Sequence, residues 1–122
     1  MQLMNGLRPL VELDYVFDPD TLFNLQLHAA KEAPYEACGV IHIDESITLL
    51  PNVFEGNRRS NFAMDVDFDF SVPAFAIWHS HPGGRPFMSD SDHLGMTEMY
   101  RAGIKLPWVI VAGGRTTMWS LK

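Results

Sequence analysis

The chain of 122 residues has a single cysteine, Cys38. One thiol closes no internal disulfide, which fits a reducing compartment. A zinc finger or ribbon needs several cysteines, and the Pro-Cys-x-x-Cys of zinc deaminases is missing. Long apolar runs are missing too: none approaches the ~20 residues of a membrane helix. The first residues lack the basic-then-apolar layout of a secretion signal, because Arg8 stands alone and is followed by Glu12 and Asp14. Basic charge is scarce. Nine Lys and Arg face fifteen Asp and Glu, for a net charge of −6, and the densest basic stretch is Arg58-Arg59. Neither nucleic acid nor a membrane is therefore expected as a partner.

What remains is an ordinary globular composition, 47% hydrophobic and 20% charged. Without a repeat, a linker or a low-complexity stretch, residues 1–122 read as one domain. A domain of this size buries roughly two-thirds of its unfolded surface and folds without a structural metal. A metal site in it would serve function.

The elements alternate. Leu10 to Phe17, with Glu12 and Asp14 two apart, reads as a strand. Asp18-Pro19 opens a helix that Leu22, Leu25 and Ala29 continue and Pro34 ends. Cys38 to Ile43 and Ile47 to Leu50 read as a hairpin. Asn52 to Asn61 is polar loop. Phe62 to Ser71 places Asp65, Asp67 and Asp69 against Val66, Phe68 and Phe70, a half-buried strand. Phe75 to Trp78 is a short strand running into His79. A helix from Asp90 to Ala102 stops at Gly103. Trp108 to Ala112, a Gly113-Gly114 turn and Thr116 to Trp119 form the last hairpin. The fold class is α/β, with a mixed β-sheet flanked by helices.

The chemistry gathers between His79 and Asp92. Residues two apart on a strand share a face, so His79 and His81 can hold one cation. Asp92, at the start of the next helix, can add a carboxylate. Three protein ligands with one open position make a catalytic zinc site. Each part also has an ordinary reading. Two histidines at this spacing can be plain surface or core residues, and Ser89-x-x-Asp92 is a helix capping box. Glu36 can be a solvated residue at a strand start. Gly39 reads as a close backbone approach.

The joint pattern is His-x-His, seven residues, Ser, two residues, Asp. It resembles the JAMM (JAB/MPN) metalloprotease motif without a spacing error, a chance match on the order of one in a thousand. Glu36-Ala-Cys38-Gly39 is similar to the Glu-x-Cys-Gly of bacterial and phage members. His79 to Ser89 and Leu106-Pro107-Trp108 most resemble the JAB domain of phage tail assembly protein K. The resemblance runs from the first helix to the last hairpin.

It implies a JAB/MPN, cytidine-deaminase-like sandwich. It implies one Zn²⁺ per chain on His79, His81 and Asp92, with Glu36 moving the proton and Ser89 binding the oxygen of the tetrahedral intermediate. The reaction would be hydrolysis of a peptide or isopeptide bond in a protein or peptide substrate. A phage tail protein or an NlpC/P60 peptidase would be the partner, in the host cytoplasm or the virion tail. Cys38 and Trp78 read as core, and His28, His42 and His93 as non-ligands. Arg85 and Phe87 line a groove or shape the loop.

The chain departs from the family where members carry a helix before the His-x-His strand; here the interval is short, acidic and broken by Pro73. Two other functions stay open from the sequence: a non-catalytic tail assembly module, and a bacterial enzyme releasing ubiquitin-like or sulfur-carrier proteins.

Overall fold

The computed structural model describes residues 7–65 and 71–122. Its elements, in chain order, are β1 (Leu10–Leu13), α1 (Pro19–Glu32), β2 (Cys38–His42), β3 (Ile47–Leu50), β4 (Ala74–Ser80), α2 (Asp90–Arg101), β5 (Trp108–Ala112) and β6 (Arg115–Leu121). The strands form one six-stranded sheet in the order β1-β6-β5-β4-β2-β3. β4 and β5 run parallel, joined across α2, and every other neighbouring pair is antiparallel. The chain is therefore α/β with a mixed sheet and helices on both faces.

The layering follows from alternation along the central strands. Ala76 and Trp78 of β4 face α1. They pack there with Ile41, Val109, Val111, Met118 and the helix residue Leu25. Ile77 faces the other way and packs with Trp108 and with Met96 of α2. β2 and β5 are buried along their whole length, as strands covered on both faces must be. His79 shares the parity of Ile77, so it turns to the α2 side.

Both helices start where the sequence says they should. Asp18 caps α1, its side chain accepting from Asp20 N at 3.0 Å, with Pro19 in the first turn. Ser89 caps α2 in a reciprocal capping box with Asp92. Gly103, at φ 93°, follows the C-cap of α2.

Several boundaries differ from the sequence reading: β2 stops at His42, α2 at Arg101, and β6 runs from Arg115 to Leu121. β1 ends at Leu13, not Phe17. Beyond it the chain leaves the sheet so that Tyr15 can pack on Phe17 and Phe75, with ring centroids 4.7 and 5.2 Å away. β4 begins one residue before Phe75 and continues through Ser80. Of the strand expected over Phe62 to Ser71, residues 62–65 are not strand, and residues 66–70 lie outside the described residues. Phe62 leaves the alternation to pack against the sheet, its ring stacked on His79 at 4.4 Å.

Candidate metal centre

The site lies at the carboxyl end of β4, where the chain leaves the sheet for α2. His79 is the last residue of β4 paired with β2, opposite Cys38. His81 follows just beyond the strand, its N–H still donating to Val111 O of β5 at 2.9 Å. Asp92 sits in the first turn of α2, so the capping box that starts the helix also aims the carboxylate.

These three side chains converge. His79 Nε2 and His81 Nε2 lie 3.0 Å apart. Asp92 Oδ2 is 3.2 Å from the first and 3.0 Å from the second. Atoms bound to one tetrahedral zinc at 2.0–2.2 Å stand about 3.3–3.6 Å from each other. An outward shift of a few tenths of an ångström fits the triangle to that geometry.

The donor set suits a cation as well. His81 Nδ1 lies 2.7 Å from Arg85 O. A carbonyl only accepts, so Nδ1 carries a hydrogen, and in the neutral ring Nε2 presents a lone pair. Ligating histidines are held in this way, by a bond from their other nitrogen. Lone pairs of His81 and Asp92 thus meet at one point, an arrangement that calls for a proton or a metal between them.

Glu36 completes the group. Its carboxylate and the two imidazoles offer ligand atoms all within 4.8 Å of one another, a set able to hold a metal. Glu36 is buried, and its Oε1 has no hydrogen-bond partner. Leaving such an atom bare in a protein interior is costly, and a bound water or ion would remove that cost.

The backbone around Glu36 is held on three sides. Its N–H donates to Arg58 O at 2.8 Å, and its carbonyl accepts from Asn52 Nδ2 at 3.0 Å. The next residue is clasped by Ser80. Ser80 N donates to Ala37 O at 2.9 Å, and Ser80 Oγ accepts from Ala37 N at 2.8 Å. The serine side chain stands in for its own carbonyl at the place where β2 and β4 part. Sequence reasoning passed over Ser80; its position between the two histidines was the available signal.

Charge at the centre is set by burial and by the two imidazoles. Burial pushes Glu36 up to about 7, with Asp92 adding to the rise and His81 opposing it. Burial lowers the pKa of His79 against the pull of Asp92. Burial would lower His81 too, but its bonds to Asp92 and Arg85 O and the nearby carboxylates raise it on balance. Burial alone would raise Asp92, yet hydrogen bonds from His79 and His81 hold it well below the usual carboxylate range. At neutral pH the centre therefore offers an ionised Asp92 and a Glu36 poised between its two forms.

The other residues singled out in the sequence fall around this core. Ser89 is exposed, and its Oγ accepts from Asp92 N at 3.0 Å. Cys38 is fully buried, its thiol pushed up to about 12 by burial and then by Glu36 and Glu32. Trp78 is buried on the opposite face. His93 Nε2 lies 2.7 Å from Arg8 O, away from the centre. His42 is buried between Val72 O and Thr48 Oγ1. Arg85 and Phe87 are exposed on the loop between His81 and Asp92.

Two open grooves are each lined by one residue of the centre. One, of about 510 Å³, runs past Glu36 along Leu49, Leu50 and Pro51, with Arg58 on its rim. The other, of about 190 Å³, passes Asp92 between Phe62 and Leu94. Among the described residues, no helix is long and apolar enough to cross a membrane.

A comparison with curated proteins finds no match. A comparison with family models finds one that covers most of the chain: residues 20–122 match the prokaryotic homologs of the JAB domain. That span takes in α1 from its second residue, every strand after β1 and all of Glu36, His79, His81, Ser89 and Asp92, and the chain belongs to this family.

Proposed function

We propose that this JAB domain is a zinc-dependent metallopeptidase or isopeptidase of the JAMM type. The observation that carries the reading is the convergence of His79 Nε2, His81 Nε2 and Asp92 Oδ2 beside an unpartnered, buried Glu36 oxygen. His79, His81 and Asp92 would hold one zinc ion. When bound, zinc supplies Lewis acidity and a water acidic enough to give up a proton near neutral pH.

Glu36 would take a proton from the attacking water and deliver it to the leaving amine. An acid–base group works best with a pKa near the working pH, and Glu36 at about 7 meets that condition. Ser89 Oγ accepts from Asp92 N and lies 3.2 Å from Ser91 Oγ; with Ser91 as the donor of that pair, the Ser89 hydroxyl hydrogen is left to give. It can therefore stabilise the oxygen of the tetrahedral intermediate, a role typically worth about 10²–10³-fold in rate. A groove lined by Glu36 and another lined by Asp92 offer room for a polypeptide substrate.

The substrate proposed is a protein or peptide of a phage tail under assembly, with an NlpC/P60 peptidase as the partner. Its support is the likeness of His79 to Ser89 and of Leu106-Pro107-Trp108 to tail assembly protein K. The place of action is then the host cytoplasm or the virion tail.

The test is Glu36→Gln in zinc-loaded protein, assayed by mass spectrometry on candidate tail proteins. The variant keeps its zinc and loses about 10²–10⁴-fold in hydrolysis. Equal cleavage by parent and variant would remove Glu36 from the mechanism. A zinc-loaded parent that binds a tail protein tightly and cuts none would make the domain an assembly module.

A further inference from the structure

The loop between the two halves of the metal centre, residues 82–88, contains Gly83 and Gly84 and has no helix or strand of its own. Yet it supplies the Arg85 carbonyl that accepts from His81 Nδ1 at 2.7 Å. Something must hold that carbonyl still. The next residue, Pro86, is buried, and its own carbonyl accepts from Thr117 Oγ1 of β6 at 2.6 Å. Thr117 Oγ1 in turn lies 2.9 Å from Trp119 Nε1.

The chemistry of the three groups fixes the direction of this chain. An indole nitrogen only donates and a carbonyl only accepts. The Thr117 oxygen must therefore accept from Trp119 and send its one hydrogen to Pro86. Thr117 and Trp119 are two apart on a strand and share a face. The hydroxyl is buried and both of its bonds are made, so it has a single orientation. Successive carbonyls of the loop are thus tied to the sheet at Pro86 and to His81 at Arg85.

We propose that Thr117 and Trp119 are positioning residues for His81, and that through the Arg85–Pro86 loop they set the affinity of the centre for a divalent metal. The inference rests on the metal site proposed above. It concerns metal affinity and the His81 tautomer, so its test needs no hydrolysis.

The experiment is zinc affinity by chelator competition, together with imidazole ¹⁵N spectra of His81 in zinc-free protein. Thr117→Val keeps the shape and removes the hydroxyl. It weakens zinc binding by about tenfold or more, as loss of a supporting partner does, and His81 loses its uniform Nδ1–H form. Thr117→Ser restores both. Trp119→Phe gives a smaller loss in the same direction.

A Thr117→Val protein that binds zinc as the parent does and keeps the Nδ1–H tautomer overturns the proposal and leaves the metal site standing. If the valine variant does not fold, Trp119→Phe decides: unchanged affinity and tautomer overturn the proposal. If the parent takes up no zinc, the proposed function falls, and the zinc-free spectra alone decide the positioning role.

Discussion

The backbone N–H of Ser89 donates, at 3.1 Å, to Oδ2 of Asp92, the same oxygen that faces both histidines. One carboxylate oxygen therefore serves both the helix cap and the proposed metal centre. This joins two readings of Ser-x-x-Asp that the sequence alone sets against each other.

Substitution at Asp92 separates them. Asp92→Asn keeps an oxygen for Ser89 N–H and loses the charge; Asp92→Ala loses both. Protein purified without a metal-affinity tag should carry about one zinc per chain in the parent, the open three-ligand arrangement expected of a catalytic site, and none in either variant. The zinc-free alanine variant should also be less stable than the asparagine variant by about 1 kcal/mol, the usual worth of a cap. Full zinc content in Asp92→Asn would leave Asp92 as a cap only.

Glu36 makes the zinc-free protein sensitive to pH. Its folded value, about 7, lies above its ordinary 4.5 because of burial. Both folded and unfolded chains hold the proton below about 4.5, where the contribution to stability is complete. As pH rises from about 4.5 to 7 the unfolded chain ionises first and the contribution is lost, at up to about 1.4 kcal/mol per unit. Urea titrations in chelator should show Glu36→Gln gaining on the parent across that window and keeping its lead above it. Parallel stability curves for the two proteins would contradict a raised Glu36.

Gly39 admits no side chain. A Cβ there would meet Thr48 O at 1.9 Å and Trp78 Nε1 at 2.8 Å. Trp78 Nε1 crosses this point to donate to Thr48 O at 3.4 Å. Gly39→Ala must push the backbone of β3 away, so it should cost about 3 kcal/mol or more, at the high end for overpacking. Thermal melts of zinc-free protein check it. A loss below about 1 kcal/mol would mean that β3 yields easily.

Cys38 should be inert. A fully buried thiol pushed up to about 12 has almost no thiolate at neutral pH. In native protein a thiol reagent should react only as fast as the fold opens, and hydrolysis should survive Cys38→Ala. Rapid labelling at pH 7 would bring a cysteine nucleophile back into consideration.

Much of this was legible in the sequence for identifiable reasons. Asp18-Pro19 and Ser89-x-x-Asp92 marked both helix starts because caps are local chemistry. β2, β3 and β5 showed as β-branched runs, and the spacing of His79, His81 and Asp92 foretold their meeting. Long-range needs stayed hidden. Tyr15 to Phe17 look like more strand, but they are drawn off to Phe75. Phe62 reads as one beat of an alternation, but it stacks on His79. Thr117 looks like an ordinary strand threonine, and nothing near it in sequence reveals the bond to Pro86, 31 residues away.

The pairing of β1 with β6 carries a consequence for the order of folding. Leu10 lies opposite Leu121, and Lys122 N donates to Pro9 O at 2.9 Å. On a ribosome the chain emerges from its N-terminal end, so β1 waits unpaired until β6 has been made. β2, β3, β4 and β5, with His79 on β4, can meet earlier. Contacts of such long sequence separation form late because loop closure precedes their reward. The strand that receives β1 also carries Thr117, whose hydroxyl donates to Pro86 O, so β6 serves both the edge of the sheet and the loop beside His81.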